Sequence, residues 1–324
     1  MNSYFLPTGL LLAFAVAWLL PEPGQVLDQW GLIPWMVVII FLINGYQARL
    51  SQIPKNRSLI LTAFLAIVIN LLISPFIGLF LVTLTSLSHG AAVGLVVMSA
   101  VPATLSSGIV MTQLAGGDGV KALAFTILLN LCGVFIVPVT LKATLGFAGI
   151  VELSPMAMLL QLIQIVLLPF FFGMLLRRTE KLRRNPQLLR YAPSLCVITT
   201  VWMSASSSSS ALREISAVSL VLILLCAGAV HGILQLLCWG SRYCYRVDRS
   251  ESLAMLFTAS QKTLPVAIGV LAVMDTPAGP ALVACILFHF LQLIWDALLA
   301  ARMARGGSLS DNGDGLGGKS SGTS

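Results

Sequence analysis

The stretch TASQKTLPVAIG, Thr258 to Gly269, lies inside an apolar run from Ser252 to Met274 and sets a lysine, Lys262, near its middle. An ammonium at membrane depth costs roughly 3 kcal/mol or more on insertion scales, and snorkelling is its usual escape. Lys262 is about ten residues from the end of its run, about 15 Å at 1.5 Å per residue, too far to snorkel with ease. Pro265 follows closely. In an otherwise intact helix it removes one i to i−4 hydrogen bond and frees the carbonyl of Gln261. The run reads as a helix interrupted beside a charge.

The surrounding sequence explains why such an interruption is possible. Of 324 residues, 57% are hydrophobic and 10% charged, and the mean hydropathy is +0.94. A soluble domain carries about 25% charged residues. The chain reads as an all-α integral membrane protein, since long unbroken apolar runs suit helices and not a barrel. Ten such runs occur, near 4–20, 31–50, 58–82, 90–113, 120–144, 155–176, 192–210, 217–240, 252–274 and 279–301. With the N-terminus inside, sixteen of the nineteen Lys and Arg residues fall in inner segments, as the positive-inside rule requires. Both termini are then cytoplasmic, in a bacterial-type inner or plasma membrane. The +7 net charge sits in short loops between apolar runs, which excludes nucleic acid as a partner and leaves the lipid bilayer. The basic loop RRTEKLRRNPQLLRY (177–191) reads as a topology anchor or a lipid headgroup contact. The six cysteines show no C-x-x-C pair and read as small buried hydrophobes. Residues 1–303 form the transmembrane domain, and 304–324 a disordered Gly/Ser-rich tail.

Ten divides into five plus five. Five is odd, so a duplication would be an inverted-topology repeat. A shift of 159 lays Ser99–Leu129 on Thr258–Phe288 with eight of 31 positions identical, Thr104, Leu105 and Ile109 among them. The shift pairs the fourth run with the ninth. Each has a mid-run proline, Pro102 or Pro265, which predicts discontinuous helices 4 and 9 crossing near the midplane. A half-helix N-terminus favours an anion, and the opposing carbonyls suit a cation. Thr104, Ser106, Ser107 and Gly108 stand at one break; Ser260, Gln261, Lys262 and Thr263 at the other. Thr126 and Asn130, i and i+4 on the fifth run, face the same region.

Three roles stay open for Lys262: contact with an anionic substrate, a charge in a cation site, or a structural pair with Asp296. His289, Gln292 and Asp296 share one helical face and read as a hydrogen-bonded seam or as a proton relay. Asn44, Gln47, Asn70, Gln161 and His231 are further polar residues at membrane depth. His231 reads as a packed, satisfied histidine. Enzyme chemistry finds no support in H-E-x-x-H, G-x-S-x-G, Cys/His metal spacing or paired carboxylates.

At VPATLSSGIVMTQLAGGDG (Val101–Gly119) and SQKTLPVAIGVL (Ser260–Leu271) the sequence resembles the bile acid:sodium symporter family over nearly its whole length. The likeness is closest to the SBF-like branch that includes the vertebrate member-7 proteins. The resemblance implies ten spans in an inverted repeat, with a panel domain of spans 1, 2, 6 and 7 and a core domain of spans 3, 4, 5, 8, 9 and 10. It also implies secondary active transport of a small organic anion by alternating access, with sodium or a proton as coupling ion and no other cofactor. In sodium-coupled members span 4 carries a Ser-Asn pair; here Ser107 matches the serine and Gly108 stands at the asparagine. Thr126 matches a sodium-site threonine of span 5. In span 9 Gln261 matches a glutamine, Lys262 replaces an asparagine and Phe257 stands at a glutamate. Two or three sodium ligands are thus missing, and the SBF-like branch itself carries a lysine here, which points to an ammonium in place of a bound cation. The alternative is a non-transporting membrane regulator or scaffold that keeps the fold.

Overall fold

Apolar runs that must satisfy their backbone without water become helices, and the computed structural model is all-α over the residues it describes: 5–48, 57–146, 149, 153–177, 186–245, 247–274 and 278–313. In chain order the helices are α1 (Phe5–Leu19), α2 (Pro21–Gln29), α3 (Leu32–Gln47), α4 (Arg57–Ile67), α5 (Ser74–Thr83), α6 (His89–Ala100), α7 (Ser107–Leu114), α8 (Gly119–Leu141), α9 (Pro155–Leu162), α10 (Leu168–Leu176), α11 (Pro186–Ser207), α12 (Ser209–Glu214), α13 (Ala217–Tyr245), α14 (Arg249–Ala259), α15 (Leu264–Leu271) and α16 (Ala278–Gly313). Capping side chains start several of them. Ser88 accepts from Ala91 N before α6, Asp118 from Val120 N and Lys121 N before α8, and Asp248 from Glu251 N before α14.

Wider π turns join α4 to α5 (Val68–Ile73) and α9 to α10 (Ile163–Leu167). Prolines account for both. Pro75 and Pro169 follow these turns, and the carbonyls four residues back, on Leu71 and Ile165, lie within them. A wide turn relieves the clash that a proline ring makes with that carbonyl.

The expected ten spans are not found. Among the described residues six helices are long and apolar enough to cross a membrane: Arg57–Thr83, Gly119–Gly146, Pro155–Leu176, Ala217–Tyr245, Arg249–Leu271 and Gly279–Arg305. A seventh is reached if Thr8–Leu19 and Pro21–Gln29, bent by 99°, make one span. Hydropathy counts apolar residues and is blind to bends. Leu20 precedes a proline and takes the extended φ of −137°, so the first run turns away early. The second run gives a helix of only 16 residues, α3. The fourth gives no spanning helix, because residues 101–106 are not helical and separate α6 from α7. The ninth run is counted as one span, Arg249–Leu271, although residues 260–263 interrupt its helix. The inverted repeat, with its panel and core domains, rested on ten spans and is not delineated. Helix α16 continues to Gly313, into the stretch read as a tail; residues 314–324 and the basic residues 178–184 lie outside the described residues.

Two features tie distant helices together. Helices α3 and α10 cross so closely that a Cβ on Gly45 would strike the carbonyl of Phe170, and one on Gly173 the carbonyl of Leu42. Small residues at such crossings let backbones approach and gain dispersion contacts where lipid offers no hydrophobic drive. Elsewhere, Lys121 on α8 lies 3.0 Å from Asp248 and 2.8 Å from the buried Glu251 of α14. Glu251 also accepts from Ser58 Oγ at 3.1 Å and from Thr62 Oγ1, both on α4. A buried carboxylate is tolerable because one ammonium and two hydroxyls satisfy it. At Asp248 burial acts to raise the pKa, but the Glu251 backbone N–H and the Lys121 ammonium outweigh it and hold the carboxyl below its usual 3.8.

Gly173→Val is expected to lower stability by about 1–3 kcal/mol, the usual cost of overpacking, as a fall in Tm of the purified protein. A carboxyl whose folded pKa is depressed contributes stability above its unfolded value and loses it as pH falls through the folded value. The Tm gap between wild type and Asp248→Asn is therefore expected to be constant above pH 3.8 and to close in stronger acid.

Candidate functional site

Helix α6 stops at Ala100, before Pro102, and α7 begins at Ser107. Helix α14 stops at Ala259, and α15 begins at Leu264 with Pro265 in its first turn, where no N–H is needed. The two gaps meet. Thr263 N donates to Pro102 O at 2.9 Å. Thr104 Oγ1 donates to Gln261 Oε1, and Ser107 Oγ lies 2.7 Å from both of those oxygens.

Several other backbone groups of the gaps are bonded by amides from neighbouring helices. Asn130 Nδ2 donates to Ala103 O at 3.0 Å, and Asn70 Nδ2 to Ala259 O at 2.7 Å and Gln261 O at 3.1 Å. Gln292 spans the Lys262 residue itself. Its Oε1 accepts from Lys262 N at 2.9 Å and its Nε2 donates to Lys262 O at 2.6 Å. Buried peptide groups without partners cost about 1–3 kcal/mol each, so these three side chains help to make the gaps possible.

Lys262 is fully buried, and its Nζ donates to Asn70 O at 2.6 Å. That carbonyl lies in the first π turn. Ser74 N bonds Ile69 O, five residues back. The same pattern would give Asn70 O the N–H of residue 75, which is proline. The ammonium takes the place of the missing donor. Among the described residues no ion pair joins Lys262 to Asp296. The carboxylate instead accepts from Gln261 Nε2 and Gln235 Nε2, each at 2.6 Å, and faces His231 Nε2 at 2.8 Å.

A hollow opens beside the gaps. Its wider part, about 270 Å³, is lined by Asn44 and Gln47 of α3, Ser106, Thr126 of α8, and Pro193 and Ser194 of α11. Its narrow end reaches Thr104, Ser107, Thr263, Pro265 and His289. The Gln292 amide, oriented by Lys262, donates to His289 Nδ1 at 2.9 Å. The neutral ring therefore carries its proton on Nε2, and that atom is buried without a partner. Thr126 Oγ1, Asn130 Oδ1 and Asn70 Oδ1 are likewise buried and unpartnered.

The sequence-predicted residues thus divide. Thr104, Ser106, Ser107, Thr126, Thr263, Pro265 and His289 border the hollow. Gln261, Lys262, Gln292 and Asp296 form the bonded layer behind it. Asn130 braces Ala103 and the Thr126 carbonyl. Ser260 turns its hydroxyl to Leu256 O. Gly108 lies under α14, where a Cβ would stand 2.7 Å from Phe257 O. His289 and Gln292 are bonded to each other, whereas Asp296 takes other partners. Sequence reasoning missed Gln235 and gave His231 no role. Their i, i+4 spacing on α13 was the available signal, the same kind that marked His289, Gln292 and Asp296.

Gln261→Leu removes the amide that serves Thr104, Ser107 and Asp296 together. It is expected to cost about 2–5 kcal/mol, from groups left unsatisfied at about 1–3 each, read as reduced Tm and recovery of folded protein.

The sequence model of the SBF-like CPA transporter family matches residues 4–305. A probable sodium/metabolite cotransporter of the chloroplast, BASS4 of Oryza sativa subsp. japonica, is 26% identical over 318 residues, covering 92% of this chain and 75% of that one. Its counterpart in Arabidopsis thaliana is 26% identical over 328 residues, covering 94% and 74%. An uncharacterized protein of Pseudomonas aeruginosa is 25% identical over 315 residues, covering 93% and 94%.

Proposed function

The chain belongs to the SBF-like CPA transporter family, and from that premise we propose that it is a secondary active transporter of a small organic anion, working by alternating access. One observation carries the reading. The hollow collects donors and contains no carboxylate among its described lining residues. His289 Nε2–H, the hydroxyls of Ser106 and Thr263, and the first turns of α7 and α15 converge there. An anion gains charge-assisted hydrogen bonds from such a set and the favourable end of two helix dipoles. The aliphatic flank, with Leu105, Ile109 and Leu123, suits a carbon skeleton.

Lys262 supplies a fixed or protonatable charge in the layer behind the hollow. This supports the reading in which an ammonium stands where a coupling cation would sit. The plant relatives are named as sodium/metabolite cotransporters. At the positions where the resemblance sets sodium ligands, however, Gly108, Phe257 and Lys262 offer no side-chain oxygen. An asparagine at 108 would also have to displace the Phe257 carbonyl. Sodium is therefore a poor fit at that place in this chain. The inside-positive loops support an orientation with both termini cytoplasmic.

Thermal shift of the purified protein against lactate, succinate, benzoate and isethionate tests binding. Uptake of the same radiolabelled anions into proteoliposomes, under imposed sodium or proton gradients, tests transport. A non-transporting regulator would give neither response. Lys262→Ala is expected to abolish uptake, or to free it from any ion gradient, while the protein still inserts. Unchanged, gradient-driven uptake by that variant refutes the role of the ammonium.

A further inference from the structure

Behind the hollow, His231 of α13 and Asp296 of α16 are both fully buried. We propose that these two side chains share one exchangeable proton, and that this dyad is where the transporter loads its coupling proton. The second part rests on the transport reading above.

The argument is a count of donors. His231 Nδ1 lies 3.2 Å from Ser260 O, a carbonyl that can only accept. Nε2 lies 2.8 Å from Asp296 Oδ1. A neutral imidazole has a single N–H and cannot serve two acceptors. Nor does Gln235 resolve the conflict. Its Oε1 accepts from the Trp295 indole at 2.9 Å, which turns its Nε2 toward the dyad. That amide donates to Asp296 Oδ1 at 2.6 Å and also lies 3.2 Å from His231 Nε2. Two lone pairs would still face each other at 2.8 Å across the His231–Asp296 contact. One proton between them removes the conflict, as an imidazolium–carboxylate pair or as a carboxylic acid donating to Nε2. Both descriptions carry the same number of protons, and the proton belongs to the pair.

Release is balanced simply. The shared proton passes to water, leaving an Asp296 carboxylate and a neutral His231 whose Nδ1–H stays on Ser260 O. The charge of the pair changes from zero to minus one. Gln261 carries this change outward, since its Nε2 is bound to Asp296 Oδ2 and its Oε1 to Thr104 and Ser107 at the hollow. The other buried titratable groups on the surrounding elements are otherwise engaged. The ammonium of Lys262 is taken by Asn70 O, His289 faces Gln292, and Glu251 is held by Lys121. Cys238 on α13 and Cys285 on α16 are buried thiols, and His89 at the start of α6 is exposed. The dyad is fully buried in this conformation, as a coupling site must not be open to both sides at once.

The test needs no substrate at first. Wild-type protein labelled with 15N-histidine is reconstituted in nanodiscs and its imidazole nitrogens are followed by NMR from mildly acidic to alkaline pH. The expected result is a His231 Nδ1 that stays protonated and an Nε2 that passes from a protonated or strongly hydrogen-bonded signal to a lone-pair signal. Asp296→Asn should abolish that step. A lone-pair signal on Nε2 throughout, in the wild type, overturns the dyad whether or not the variant folds. In sodium-free proteoliposomes an inward proton gradient should raise uptake of radiolabelled lactate or isethionate several-fold, and Asp296→Asn should lose the acceleration. Uptake indifferent to the gradient overturns the coupling role. No uptake under any gradient overturns the transport reading and the coupling role with it, while proton sharing stands or falls on the NMR.

Discussion

A carbonyl without its N–H sets the terms for the centre of this protein. Pro75 cannot donate to Asn70 O, and Asn70 is fully buried. The ammonium of Lys262 fills the vacancy from another helix. That bond, with the two that Asn70 Nδ2 donates to Ala259 O and Gln261 O, holds the first π turn and the α14–α15 gap together. The charge has a structural duty before any functional one, and the two are compatible. A lysine held by a backbone carbonyl keeps its amine at a defined place behind the hollow.

The same accounting explains the layer as a whole. Interrupting two helices in a dry interior strips several peptide groups of their partners. Amides are the side chains best suited to replace a peptide, since each presents both a donor and an acceptor. Gln292 does so in full at Lys262, and Asn70 and Asn130 supply donors to the carbonyls of the gaps. Once the amides are oriented by the backbone, they orient what lies beyond them: Gln292 sets the tautomer of His289, and Gln261 joins Thr104 and Ser107 to Asp296. A scaffold requirement thereby becomes an electrostatic arrangement, with donors on the hollow side and a carboxylate–imidazole pair on the far side.

Much of this neighbourhood is legible in the sequence, because polar residues are conspicuous in an apolar chain. Lys262, Gln261, Thr104 and the two prolines announce themselves, and so does the face shared by His289, Gln292 and Asp296. The span count is not legible. A sharp bend such as the one at Pro21 leaves hydropathy unchanged, and so does the unwinding of 101–106. The π turns are hidden as well, since Pro75 and Pro169 look like ordinary prolines until the carbonyls behind them are placed. His231 looks isolated for a different reason: its partners, Ser260 and Asp296, are distant in sequence. Only the folded chain brings them together.

The crossing of α3 with α10 bears on how the protein is made. The two glycines that allow it stand on opposite sides of α4 through α9, so α3 leaves the ribosome long before its mate exists. Until then its notched surface is covered only by lipid or by a temporary neighbour. Assembly of this pair is thus a late event in biogenesis, and a chain halted before α10 presents an orphaned helix to the membrane's quality-control proteases.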